Sequence, residues 1–193
     1  GGNGKRPRRI SDEQAIAIRD RIAAGHDDFE ARIDIINAHL TYPGADHPAV
    51  FDATVHVEPG CSLALVGSTG AGKSTLADLL LGVLDVDSGT ITISGVSPRE
   101  AIERWPGAIA YVPQSVGLTE GTIRENVALG LPDLAIDDAM VWDALERAHL
   151  ADFLRDTREG LDTVVGERGV RLSGGQRQRL GIARALYTRP RLL

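Results

Sequence analysis

Apolar positions along the chain follow a period of two between residues 33 and 57 and a period near 3.6 over residues 137–148. From Ala31, the residues Ile33, Ile35 and Ile36 lead to Leu40, the turn Tyr42-Pro43-Gly44 follows, and residues 50–57 alternate before Pro59-Gly60. Alternation bounded by proline and glycine predicts strands, here a small antiparallel β layer. Leu63-Ala64-Leu65-Val66 is a short unbroken apolar run, the pattern of a buried strand, and a glycine-rich turn separates it from an apolar helix over about Lys73 to Leu84. Gly89 to Ile93 predicts a further strand, Pro98 to Arg104 a short helix, and Ala108 to Val112 a strand that ends at Pro113-Gln114.

Residues 119–160 turn helical. Thr122 is a plausible N-cap with Glu125 three residues on, and Asp137 to Ala148 places Met140, Val141, Ala144, Leu145 and Ala148 on one face, with Met140 and Trp142 expected in a core. Leu172-Ser173-Gly174-Gly175-Gln176 opens a helix that runs to about Tyr187, and Pro190 ends it. At the other end, Gly1, Gly2, Asn3, Gly4 and Pro7 resist regular structure, and Lys5, Arg6, Arg8 and Arg9 form a solvated run. Residues 1–30 therefore read as a linker or tether, with a weak helical pattern from Asp12 to Ala24 ended by Gly25. Residues 31–193 read as one domain, its helical part at about 115–175.

Composition narrows the class. With 42% apolar and 25% charged residues, 193 residues can bury a core unaided, and no stretch approaches the roughly 20 apolar residues of a spanning helix. The one cysteine, Cys61, excludes a disulfide framework and a multi-thiolate metal site; it suits a reducing compartment and is expected to be a small buried hydrophobe. A net charge of −6 argues against nucleic acid as a partner. The charge is unevenly spread, and Arg177, Arg179 and Arg184 on the last helix are expected to form a solvated face. His26, His39, His47, His56 and His149 show no metal spacing and no evident carboxylate partner, so none is assigned a role.

The candidate chemistry sits between strand and helix. Gly67-Ser68-Thr69-Gly70-Ala71-Gly72-Lys73-Ser74 matches G-x-x-x-x-G-K-[ST] in full. Glycines let backbone N–H groups wrap closely around phosphate oxygens, and a helix N-terminus adds a favourable dipole. Lys73 would hold the β- and γ-phosphates, and the Ser74 hydroxyl would ligate Mg²⁺. Ser173, Gly174 and Gly175 present a hydroxyl and N–H groups at a second helix N-terminus, which makes a second candidate anion site.

Together, residues 67–75 and Leu172 to Gln176 resemble the Walker A and signature motifs of the nucleotide-binding domain of the ATP-binding cassette (ABC) family. Tyr42 resembles the A-loop aromatic that stacks on adenine. Gln114, in Tyr-Val-Pro-Gln, resembles the Q-loop glutamine that links Mg²⁺ to the membrane partner. Residues 163–169, with Glu167, resemble the x-loop of ABC exporters, and Gly121 to Val127 is likewise exporter-like. The resemblance spans Ile33 to Leu193. It implies an α/β fold, a P-loop ATPase core with an antiparallel β subdomain and a helical signature subdomain. It implies ATP and Mg²⁺ as ligands: Tyr42, Gly67, Ser68, Thr69, Gly70, Ala71, Gly72, Lys73, Ser74, Thr75 and Gln114 on one nucleotide, and Ser173, Gly174, Gly175 and Gln176 on another. Lys73, Gln114 and Ser173 would serve turnover, and Ser74 and Gln114 the metal.

By the same resemblance two cassettes, identical or different, close head to tail around two ATP molecules. A transmembrane domain fused upstream is contacted near Gln114 and Glu167, at the cytoplasmic face of a membrane. The family continues into a strand ending in the Walker B Asp-Glu, whereas this sequence stops at Arg191-Leu192-Leu193, so the chain is expected to be a cassette truncated before Walker B and hydrolysis-deficient alone. Three alternatives remain open: a soluble ABC ATPase, a cassette serving a separately encoded importer, and a regulatory cassette with an altered catalytic glutamate.

Overall fold

A computed structural model describes residues 11–166 and 171–193. In chain order the elements are α1 (Asp12–Ala24), β1 (Ile33–Leu40), β2 (Val50–Val57), α2 (Lys73–Leu80), β3 (Ser88–Ile93), α3 (Pro98–Arg104), β4 (Gly121–Thr122), α4 (Ile123–Val127), α5 (Asp138–Arg147), α6 (Ala151–Arg155), β5 (Val164–Val165) and α7 (Gly174–Tyr187), with 3₁₀ turns at Asp133–Ala135 and Gly160–Asp162. They divide into two units. Residues 26–109 with Leu192 form one, and residues 11–25 with 110–166, 171–191 and Leu193 form the other.

The first unit holds the β layer. Its sheet has the order β2-β1-β3 and is antiparallel throughout, pairing Ile33 with Val57 on one side and with Ile93 on the other. The alternation read from the sequence puts Ile33, Ile35, Ala38 and Leu40 into a core shared with Val50, Val57, Ile91 and Ile93, and with Leu76 and Leu79 of α2. Irregular register around Ala38 coincides with Asn37 and Asp52, both left-handed at φ 48°, whose side chains bond to each other at 2.8 Å. Short polar side chains tolerate that conformation best. Phe29 meets Trp105 edge to face at 5.3 Å, and Trp105 Nε1 donates to Asp28 Oδ1 at 2.8 Å.

Two expected strands do not form. Residues 61–68 run without a ladder among the described residues, leaving Leu63, Leu65 and Val66 exposed, Val66 to 92%. Apolar side chains do not by themselves make a strand, because a buried ladder needs neighbours for its N–H and C=O groups. Residues 108–112 have the start of one such neighbour. Leu192 N donates to Ala108 O at 3.0 Å, and Ile109 forms an isolated parallel bridge with Leu192. Helix α2 stops at Leu80 instead of Leu84, where the chain turns through Gly82 at φ +63°. Cys61, expected inside, is exposed, because the turn that joins Cys61 N to Glu58 O at 3.1 Å holds it outside the sheet.

The second unit is helical. Ile123, Leu145, Leu150, Leu154 and Leu180 are the largest fully buried side chains among its described residues, and Met140 is buried with them. Capping boxes open α1 at Ser11 with Gln14, α4 at Thr122 with Glu125, and α7 at Ser173 with Gln176. The segment read as a tether carries α1 over the boundaries its pattern gave, with Ala15 and Ile22 buried. The two-residue strands β4 and β5 pair antiparallel, which two residues of sequence could not announce. Among the described residues no helix is long and apolar enough to cross a membrane.

Candidate functional site

The glycine loop and α2 set the geometry of the first unit's site. Gly70 and Gly72 stand at φ +84° and +83°, and a Cβ on Gly72 would overlap the Ala49 carbonyl oxygen. Only glycine lets the loop fold this closely against the strand-entry loop before β2. Ala71 N donates to Ser68 O at 3.2 Å, and Leu76 N to Gly72 O at 2.9 Å, so loop and helix start are one hydrogen-bonded piece. Lys73 folds back over the loop and donates from Nζ to Gly67 O at 2.9 Å and to Ser68 O at 2.7 Å. Its ammonium is thereby held over the loop that precedes α2.

Tyr42 and the loop share one cleft of about 430 Å³, lined by Tyr42, His47, Pro48, Ala49 and residues 70–75. The Tyr42 hydroxyl lies 3.2 Å from Thr75 Oγ1, in a bond where either oxygen can donate, and Thr75 is buried while Ser74 is exposed. The cleft thus joins an aromatic ring, a cation, an exposed hydroxyl and a glycine cradle without side chains. Those groups fit a nucleotide with its phosphates in the cradle. The metal set is thinner. Among the described residues no cluster of three or more His, Cys, Asp or Glu could hold an ion, so a metal here would rest on Ser74 and on phosphate oxygens, the usual habit of Mg²⁺.

The second unit carries the other candidates. Ser173 caps α7, its hydroxyl accepting from Gln176 N at 3.2 Å while Ser173 N donates to Gln176 Oε1 at 2.8 Å; Gly174 and Gly175 are exposed beside it. Arg177 stiffens the cap by donating to Leu172 O at 2.7 Å. Gln114 is exposed in an irregular loop that runs to Glu120. Glu167 lies outside the described residues.

Several residues that sequence reasoning passed over prove structured. Arg184, expected on a solvated face, is half-buried: Nε donates to Asn126 O at 2.8 Å, Nη1 to Gly117 O at 3.1 Å and Nη2 to Asn126 Oδ1 at 3.3 Å, and burial draws its guanidinium below the ordinary arginine value. Asn126, fully buried, bonds Thr119 and Thr122 as well. His47 lines the cleft five positions beyond Tyr42. His56 does have carboxylate partners: β pairing sets it opposite Asp34, and Glu58 lies beyond it with 2.6 Å between Nε2 and Oε1. Hydrogen bonds to Glu58 and then Asp34 raise the His56 pKa. Cross-strand register, invisible in one sequence, makes that contact.

A family model described as ABC transporter matches residues 50–193. The chain belongs to the ABC transporter family. Among curated ABC proteins it is 42% identical over 159 residues to the ATP-dependent lipid A-core flippase of Thiobacillus denitrificans, covering 82% of this chain and 27% of the flippase. It is 40% identical over 168 residues to the mitochondrial ATP-binding cassette sub-family B member 10 of Mus musculus, covering 86% of this chain and 24% of that protein. A bacterial Atm1-family ABC exporter solved with ATP bound superposes with a TM-score of 0.71 at 36% identity, over 83% of this chain and 28% of that one. The chain therefore spans about a quarter of the length of these ABC relatives. The likeness falls on the exporter type, and the α/β architecture with an antiparallel layer and a helical part is that of an ABC cassette.

Proposed function

We propose that this chain supplies the nucleotide-binding and signature elements of the motor of an ABC exporter. The observation that carries the reading is the single cleft where Tyr42 faces the glycine cradle and Lys73. ATP would lie with its adenine on the Tyr42 ring and its phosphates against the backbone N–H groups of residues 70–74. Lys73 Nζ would exchange two loop carbonyls for phosphate oxygens, at little entropic cost because its side chain is already held over the loop. Ser74 would hold Mg²⁺ together with phosphate oxygens, and a bound ion would neutralise charge on the phosphates.

Ser173, Gly174, Gly175 and Gln176 would meet the γ-phosphate of a nucleotide held by a second cassette, so that two cassettes close head to tail around two ATP molecules. Two anion-binding helix starts in one sequence suit such a pair. A transmembrane domain contacted near Gln114 and Glu167, at the cytoplasmic face of the membrane, would convert closure into export. Residues 1–30 would lead into a cassette at 31–193, with its helical part at about 115–175.

The test uses the full-length protein. Lys73→Ala should weaken Mg·ATP binding by about 100-fold, a loss of roughly 2.7 kcal/mol, as read by titration with a fluorescent ATP analogue. Ser173→Arg should leave that binding within twofold and stop phosphate release. Unchanged turnover in both variants would end the reading.

A further inference from the structure

Gln114 and Ser173 stand at the N-terminal ends of two segments of the helical unit that touch one another. The loop that begins at Gln114 continues through Val116, Gly117 and Thr119, and α7, which begins at Ser173, passes beside it. Gly181 of α7 packs so closely on Val116 that a Cβ would overlap Val116 Cγ2 and press on Cγ1. One turn further along the same helix face, Arg184 donates to Gly117 O at 3.1 Å. The same guanidinium reaches Asn126 O and Oδ1, and Asn126 grips Thr119, accepting from its N at 3.1 Å and donating to its O at 3.0 Å.

Three successive points of the loop, Val116, Gly117 and Thr119, are thus fixed to α7 directly or through one buried amide. The helix is stiff enough to transmit a displacement. It runs unbroken for 14 residues, buries Leu180, Ala183, Leu186 and Tyr187, and is anchored where Asp137 N donates to the Tyr187 hydroxyl at 3.2 Å. No carboxylate pairs with Arg184 among the described residues, so the guanidinium is held by carbonyl and amide oxygens alone. A lysine, with one nitrogen and no planar fork, cannot reach all three.

We propose that Gly181 and Arg184 form a clamp through which the loop behind Gln114 and the signature helix move as one piece, making both of them positioning residues for turnover. The inference rests on the motor reading above and says how its two motifs communicate. A displacement of Gln114 would drag Val116 and Gly117, and α7 would carry it to Ser173. With the clamp loosened, nucleotide would still bind at Lys73, but Ser173 would no longer be presented in step with Gln114.

In the full-length protein, Gly181→Ala pushes its new methyl against Val116 and should lower kcat for Mg·ATP hydrolysis about tenfold while KM stays within about twofold. Adding Val116→Ala in the same chain reopens the space and should restore kcat to within about twofold of the parent. Arg184→Lys keeps the charge and should show the same split between kcat and KM; it decides the matter if Gly181→Ala does not fold. The clamp is overturned if kcat and KM move together, if the second substitution fails to restore turnover in a folded protein, or if the variants turn over like the parent. An unsubstituted protein without Lys73-dependent turnover would instead sink the motor reading itself.

Discussion

Asn126→Ala removes the fully buried amide that ties together Thr119, Thr122 and Arg184. Asn126 Oδ1 accepts from Thr119 N at 3.1 Å, Thr119 Oγ1 at 3.2 Å and Arg184 Nη2 at 3.3 Å, and Nδ2 donates to Thr119 O and Thr122 O, both at 3.0 Å. The longer bonds belong at the low end of about 0.5–1.5 kcal/mol net apiece, so the set contributes roughly 3 kcal/mol. Truncation also leaves a small cavity, adding on the order of 1 kcal/mol. The expected loss is about 4 kcal/mol, which for a chain of this size lowers Tm by roughly 10 °C. Urea unfolding followed by Trp142 fluorescence in a Trp105→Phe background reads the helical unit, since Trp142 lies on α5 and Trp105 in the other unit. Amide exchange across residues 116–127 reads the network itself. A loss under about 1 kcal/mol with unchanged exchange would refute the argument that buried polar groups here are held only by their mutual bonds.

Three other outcomes are expected. Gly72→Ala must hold a left-handed residue and displace the Ala49 carbonyl, so titration with a fluorescent nucleotide should show at least a 30-fold weaker affinity, about 2 kcal/mol. Tyr42→Phe keeps the stacking face and should bind ATP within about threefold of the parent, whereas Tyr42→Ala should lose about tenfold or more; equal affinities for the two variants would show that the ring does not touch adenine. His56 gains two carboxylate partners on folding, so its raised pKa gives a stabilisation fully present below about pH 6.5, its unfolded value, and lost as pH rises through the higher folded value. The difference in urea midpoint between the parent and His56→Gln should therefore shrink from pH 6 to pH 9. A difference that grows over that range would reverse the sign of the argument.

Local patterns were legible where they closed on themselves. Helix α1 spans the residues its pattern gave, and the capping signals at Thr122 and Ser173 are capping boxes in the structure. The Gly-Lys-Ser run forms a tight glycine turn that leads directly into α2, as its spacing implies. Illegible were the contacts between segments distant in sequence. Arg184 read as one more surface arginine because its acceptors, Gly117 and Asn126, lie 67 and 58 positions away. Residues 63–66 read as a strand because apolar composition does not reveal whether a ladder partner is present.

The sequence by itself determined the alternating strands of the β layer, the helix starts, and a glycine loop with a lysine at its rim. Each follows from backbone preferences and side-chain periods acting within a few residues. Tertiary structure alone decided that Tyr42 joins that cradle in one cleft, that His56 stands between two carboxylates, and that Arg184 ties α7 to the loop behind Gln114. Those outcomes depend on strand register and helix packing, which bring together groups whose separation along the chain carries no local signal.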